Sequence, residues 1–265
     1  TRKAIHEAVS RACVKFNVDR KDLPWFRTLH SWAFNGLNLA TKDMLGPEDW
    51  DVLSRELGLK FRGASAVSPD DGMLIPTALD SGDVYLQMEN RSRYRMISIE
   101  KEFNEVANHA LHFFQLRKVE AELQAYKSAT NKFDFADLIE KYVEIGDPPR
   151  LDLFIVDEAQ DLTPLQWEMV FEIARCAKRV LIAGDDDQAI HRWTGVDVKR
   201  FLGASDNFRV LTQSYRMPKV VHDLSQKVVK RISVRREKVF NPTDNEGRID
   251  WALNPYDLDL SQGSW

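Results

Sequence analysis

Along the first half of the chain the apolar positions recur at helical spacing. Along the second half they gather into short blocks separated by polar turns. Ala4, Ile5, Ala8, Val9 and Ala12 share one helical face and predict a helix through about Cys13. Residues 25–29 read as a short strand. Residues 30–60 read as helical, punctuated by Gly46-Pro47, and residues 62–83, rich in Gly, Ser, Pro and Asp, read as an irregular excursion. From 98 to 128, Phe103, Val106, Ala110, Phe114 and Tyr126 lie near one face. Leu111, Leu116, Val119 and Leu123 widen the stripe, which predicts one long helix.

Beyond residue 130 short apolar strands alternate with capped helices, the pattern of a parallel sheet with crossover helices. Residues 151–156 and 179–183 read as buried strands, and residues 208–212 as a third strand. Thr163 stands as N-cap, with Pro164 at the first helical position and Gln166 closing a capping box, so a helix is predicted over 165–177. Further helices are predicted over 196–202 and from Pro218 to about 234.

Composition narrows the class. With 265 residues, 43% hydrophobic and 29% charged, the chain has room for one large or two ordinary domains, and disordered, collagenous and coiled-coil chains are excluded. No apolar run approaches the roughly 20 residues of a membrane-spanning helix. Cys13 and Cys176 lack CxxC or CxxH spacing, so neither a disulfide framework nor a cysteine zinc site is supported; a reducing, cytoplasmic setting is expected. The opening Thr-Arg-Lys has neither an initiator Met nor a signal-peptide core, so the chain is expected to be cut from something longer. The net charge of −4 is unevenly spread. Residues 1–30 carry seven Lys/Arg against three acids, residues 151–172 carry six acids and no Lys or Arg, and residues 227–238 carry six Lys/Arg against Glu237.

Two acidic clusters each follow a predicted strand: Asp157-Glu158-Ala159-Gln160-Asp161 and Gly184-Asp185-Asp186-Asp187-Gln188. In open α/β sheets ligands bind at the carboxyl ends of strands, where both clusters are expected. One carboxylate there suits Mg²⁺, and a second beside it can deprotonate an attacking water, which is phosphoryl-transfer chemistry. A Mg²⁺-dependent nuclease built on Asp157, Glu158 and Asp185 to Asp187 uses the same carboxylates.

The two clusters together resemble the UvrD/Rep-like helicases of superfamily 1. Asp157-Glu158-Ala159-Gln160-Asp161 resembles motif II in its DEAQD form, and Gly184 through Val196 resembles motif III. Leu211-Thr212-Gln213-Ser214-Tyr215-Arg216 resembles motif IV, Thr1-Arg2-Lys3-Ala4 motif Ia and Thr28-Leu29-His30-Ser31 motif Ib. Asp134-Phe135-Ala136-Asp137-Leu138 resembles the DFxDL segment before motif II.

The resemblance implies an ATP-dependent DNA helicase that acts on single-stranded DNA and duplex junctions, with ATP and Mg²⁺ as cofactors and no membrane. Asp157 would hold the metal through water and Glu158 would activate the hydrolytic water. Gln188 would sense the γ-phosphate, Arg216 would act as an arginine finger and Tyr215 would stack on adenine. Trp193 would stack on a DNA base, with His191 beside it; Thr28, His30, Ser31, Thr1 and Arg2 would line the DNA backbone path. His191 stands where many members carry Tyr. The implied fold is α/β of the P-loop type. A first RecA-like domain over 1–37 and 131–204 would be interrupted by a mostly helical subdomain over 38–130, and a second RecA-like domain would begin at 205. No GxxxxGK[ST] occurs in the chain, and motifs V and VI are not found before Trp265. An internal helicase fragment without ATPase activity of its own is therefore expected. The competing class is a non-hydrolysing DNA-binding subunit with the same fold.

Overall fold

A computed structural model describes residues 2–61, 81–106, 111–189, 195–249 and 254, the side chains of residues 2–4 and 81 excepted. The chain divides into two compact units: a larger one of Thr1–Asp185 with Ala189–Arg200, and a smaller one of Asp186–Gln188 with Phe201–Trp265. Among the described residues no helix is long and apolar enough to cross a membrane.

The larger unit is mostly helical. It contains α1 (Arg2–Phe16), α2 (Leu29–Gly36), α3 (Pro47–Leu57), α4 (Ser81–Tyr94), α5 (Ile99–Val106), α6 (Phe113–Thr130) and α7 (Phe135–Ile145). There follow β1 (Phe154–Val156), α8 (Pro164–Arg175), β2 (Val180–Ile182) and the start of α9 (Val198–Gly203). Leucines and aromatics of α3, α4 and α6 form one core cluster, Trp50, Leu53, Leu86 and Leu123. A second joins Leu57, Tyr85, Met88, Ile99, Leu116 and Val119. Helix α2 is tied to α7 by the Trp32 indole, which donates to the Tyr142 hydroxyl at 2.8 Å. A side chain at Gly36 would place its Cβ 2.6 Å from the Tyr142 ring, so this crossing needs glycine.

The two strands pair in parallel, with Phe154 opposite Val180, Ile155 opposite Leu181 and Val156 opposite Ile182. Helix α8 connects them and begins at the capping box read from the sequence: the Thr163 hydroxyl accepts from Gln166 N–H, and Gln166 Oε1 accepts from Thr163 N–H at 2.9 Å. Its inner face, Leu165, Trp167, Met169, Val170 and Ile173, is fully buried.

Several expectations need correction. Residues 151–156 and 179–183 were expected to form buried strands, yet the register partners Ile155 and Leu181 are 59% and 56% exposed. Side chains alternate across a strand, and among the described residues the face carrying this pair is uncovered. No strand forms over 25–29, because Thr28 turns the chain into α2 as its N-cap. The long helix expected over 98–128 is two helices, α5 and α6. His112 takes an extended conformation at the N-cap position of α6 (φ −119°, ψ 124°), and Phe103 of α5 meets Phe113 of α6 at 5.3 Å between ring centroids. No strand forms over 208–212; pairing begins only at Gln213 with Asn241. Helix α4 was not foreseen.

The smaller unit holds α10 (Lys219–Val229), which ends earlier than the sequence suggested. The segment before it is pinned to residues 241–246. Ser214 N–H donates to the Asn241 carbonyl at 2.9 Å, Thr243 N–H to that of Met217 at 2.9 Å and Lys219 N–H to that of Asn245 at 3.0 Å.

Candidate functional site

The end of β1 turns sharply. Glu158 sits in the left-handed region (φ 53°, ψ 37°), a conformation that costs a non-glycine residue on the order of 1 kcal/mol and that turns often use to aim a side chain. The turn is fixed on both sides. Glu158 N–H donates to Asp157 Oδ1 at 3.0 Å, Ala159 N–H donates to the Ala183 carbonyl at 3.0 Å and Asp161 N–H to the Glu158 carbonyl at 3.0 Å. Asp157 and Glu158 are both exposed at the carboxyl end of the strand, where the sequence placed them.

Gln160, two residues on, is only 2% exposed. Its Nε2 donates to Glu158 Oε2 at 2.8 Å, and its Oε1 accepts from Asp185 N–H at 2.9 Å. The amide therefore joins the turn after β1 to the segment after β2. Sequence reasoning quoted Gln160 within its motif and gave it no role, since a glutamine alone signals no chemistry. The usable signal was its position between two strand-end clusters that a parallel pairing must bring together.

Of the second cluster, Asp185 belongs to the larger unit and Asp186 to Gln188 form a 3₁₀ turn in the smaller one. Asp186, 5% exposed, accepts from Arg236 N–H at 2.6 Å and from Lys238 Nζ at 2.5 Å. Asp187 receives Arg235 through two bonds, at 2.6 and 2.9 Å. Partial burial would raise the Asp187 carboxyl, but Arg235 and Lys238 outweigh it and hold the group below the usual range. Gln188 is exposed. In the same unit Ser214 Oγ accepts from Met217 N–H at 2.9 Å and Arg216 N–H at 3.2 Å. That turn leaves Tyr215 88% exposed, with Arg216 also at the surface.

The residues expected along DNA are placed differently from one another. Thr28 is the N-cap of α2, its hydroxyl accepting from Ser31 N–H at 3.1 Å, and Ser31 is half-buried. His30 is buried; its Nε2 meets the Tyr94 hydroxyl at 2.9 Å, and its ring packs edge-on to Phe135 at 5.8 Å. Burial, opposed in part by Asp134, lowers its pKa from 6.5 to about 4. A neutral ring enclosed by α4 and α7 offers no surface to a phosphate backbone. Arg2 lies in α1 with its side chain outside the described residues; Thr1, His191 and Trp193 also lie outside them.

The DFxDL segment is a knot of charge. Asp134 and Asp137 form the capping box of α7, each side chain accepting the other's N–H at 2.8 Å. Arg93 of α4 reaches Asp134 at 2.8 Å and Glu140 at 2.7 Å, and also bonds Asp137. Lys127 of α6 reaches Asp134 at 2.7 Å and Asp137 at 2.9 Å. Burial would raise Asp134, but Arg93 and Lys127 hold it well below the usual carboxylate range. Glu89, 1% exposed, is instead pushed up to about 7, chiefly by burial, and its Oε2 has no hydrogen-bond partner.

Residues 1–209 match the family described as the UvrD/REP helicase N-terminal domain. Among curated proteins, the ATP-dependent DNA helicase PcrA of Bacillus subtilis (strain 168) is 29% identical over 143 residues, covering 49% of this chain and 19% of that protein. PcrA of Staphylococcus epidermidis and of Staphylococcus aureus are each 29% identical over 129 residues, covering 43% of this chain and 18% of theirs. The matched region thus spans about a fifth of the length of these relatives.

Proposed function

The chain belongs to the UvrD/REP helicase family, and on that premise we propose that it forms part of the motor of an ATP-dependent DNA helicase that moves on single-stranded DNA and opens duplex junctions. The observation that carries the reading is the pair of exposed carboxylates, Asp157 and Glu158, on a fixed turn at the carboxyl end of a parallel strand. Hard oxygen donors of this kind fit Mg²⁺, which binds through one or two carboxylates and keeps most of its waters. No GxxxxGK[ST] occurs in the sequence and the match covers about a fifth of the length of the PcrA relatives, so the activity is proposed for the full-length protein. Mg²⁺-ATP, when bound, would supply the scissile phosphoanhydride and an ion to neutralise its charge.

This chain's own contribution is positioning and proton transfer. Asp157 would hold the ion through water, and Glu158 would take the proton of the attacking water. Gln188 and Arg216 would meet the γ-phosphate, Arg216 lending positive charge as the phosphoryl group transfers, and Tyr215 would stack on the base. Trp193 would give a DNA base a stacking surface, which tolerates any sequence; His191, Thr1, Arg2, Thr28 and Ser31 would flank the DNA path. A cytoplasmic role in DNA repair or replication follows from this reading. The nuclease alternative is not favoured, because Asp186 and Asp187 are already engaged by Lys238 and Arg235.

The test is Glu158→Gln in the full-length protein, assayed with single-stranded DNA. Turnover should fall by about 10²–10⁴, the usual worth of a general base, while nucleotide affinity stays nearly unchanged. A variant that keeps most of its turnover would remove Glu158 from the role. A full-length wild type that binds DNA without hydrolysing ATP would establish the non-hydrolysing alternative instead.

A further inference from the structure

We propose that Gln160 is a positioning residue that clamps the Glu158 carboxylate at the end of β1 and locks it to the backbone of Asp185 at the end of β2. The proposal rests on the reading of Glu158 as the base.

Three observations lead to it. The first is that both ends of the amide are engaged, in the only orientation chemistry permits. A carboxylate can accept only from the NH₂ end and a backbone N–H can donate only to the carbonyl end, so the contacts at 2.8 Å to Glu158 and 2.9 Å to Asp185 fix which end is which. The second is burial. Gln160 is 2% exposed, so its bonds are shielded from water, whereas Glu158 itself is exposed and would otherwise sample several rotamers. Among the described residues its carboxylate takes its side-chain hydrogen bond from Gln160. The third is the backbone. Residues two apart do not face each other in a helix, but the left-handed conformation at Glu158 turns its side chain back over Gln160. The strained turn and the buried amide thus serve one end, a carboxylate held still at a surface. A base placed for in-line attack requires that, since misplacement by about 1 Å can cost about 100-fold in rate.

The test uses the full-length protein and the isosteric Gln160→Met, with the shorter Gln160→Asn as a second variant should Met not fold. Either should lower kcat by about 10-fold or more with KM for ATP within about two-fold, the mark of an interaction needed in the transition state and not for binding. Combined with Glu158→Gln, the substitution should cause no further loss, because Gln160 acts only through Glu158. Independently of activity, hydrogen exchange at the Asp185 amide in the nucleotide-free protein should quicken by at least about 10-fold, while the Phe154 amide, bonded across the strands to the Arg179 carbonyl at 2.9 Å, does not change. Full kcat in the Gln160 variants beside a dead Glu158→Gln overturns the clamp and leaves the base in place. An active Glu158→Gln overturns the base instead. A Gln160 loss that persists in full on the Glu158→Gln background, or an unchanged Asp185 amide, also overturns the clamp.

Discussion

The acids of α7 and those at the end of β1 stand in the same unit and are treated in opposite ways. Asp134 and Asp137 are enclosed, share Arg93 and Lys127, and spend their remaining lone pairs on each other's backbone N–H groups. Asp157 and Glu158 are exposed, have no cation beside them among the described residues, and ride on a strained turn. Carboxylates whose two oxygens are both engaged by cations and backbone N–H groups hold helices together. Carboxylates with acceptor capacity facing water can take up a cation or a proton. The contrast separates acids paired inside the fold from acids open to solvent without reference to sequence motifs, although both sets lie in motif segments.

The largest effect that could break this comparison is on stability. Arg93→Met leaves Asp134, Asp137 and Glu140 facing one another with Lys127 alone, and removing one partner of a buried charge network typically costs about 3–5 kcal/mol. Asp157→Asn, by contrast, should stay within about 0.5 kcal/mol of wild type, as surface substitutions generally do. Denaturant unfolding of the two variants side by side checks both. Equal losses would mean that the acids at the end of β1 are structural too.

A smaller and more specific effect is on pH dependence, because the knot buries two titrating groups with opposite leanings. His30 stays neutral when folded, its pKa falling from 6.5 to about 4. It contributes stability that is present above pH 6.5 and lost as pH falls towards 4, at about 1.4 kcal/mol per unit. Glu89 rises from 4.5 to about 7, so its contribution is present below pH 4.5 and lost as pH rises towards 7. Between pH 4.5 and 6.5 the two slopes oppose each other, and the wild type should be nearly flat. Glu89→Gln should uncover a stability that rises with pH, and His30→Gln one that falls. Urea midpoints at several pH values read both, and a Glu89→Gln profile as flat as the wild type would dismiss the opposition.

The same contrast explains what could be read from the sequence. The capping box at Thr163, the strand before Asp157 and the acidic turn after it follow from local rules, and each was legible; the second capping box, at Asp134, was quoted only as part of a motif segment. Helix α4 was not, because its buried positions include Asp83, Glu89 and Ser92 among Tyr85, Leu86 and Met88. Those polar positions break the apolar period where the helix is most enclosed, so no amphipathic stripe marks it in the sequence. His30 was placed on a DNA path for the related reason that its enclosure comes from Tyr94 and Phe135, far along the chain. Gln160 escaped notice because its two bonds join segments 25 residues apart.

The smallest expected effect falls on Thr28, which stands between the two categories, part-buried and polar beside a buried helix. Its hydroxyl accepts from Ser31 N–H at 3.1 Å, and its backbone is extended (φ −71°, ψ 159°), the geometry of an N-cap. Helix α2 has only eight residues, so one satisfied N–H matters to whether Trp32 is delivered to Tyr142. Thr28→Ala should therefore cost about 1 kcal/mol, and Thr28→Ser, which keeps the acceptor, much less. A contact to DNA phosphate would give another pattern: Thr28→Ala would weaken binding to single-stranded DNA and leave unfolding unchanged. Thermal unfolding and a DNA titration on the same two variants separate these outcomes. If Ala and Ser prove equally stable, the hydroxyl does not cap α2, and Thr28 moves to the side of Asp157 and Glu158, among the groups that face outward.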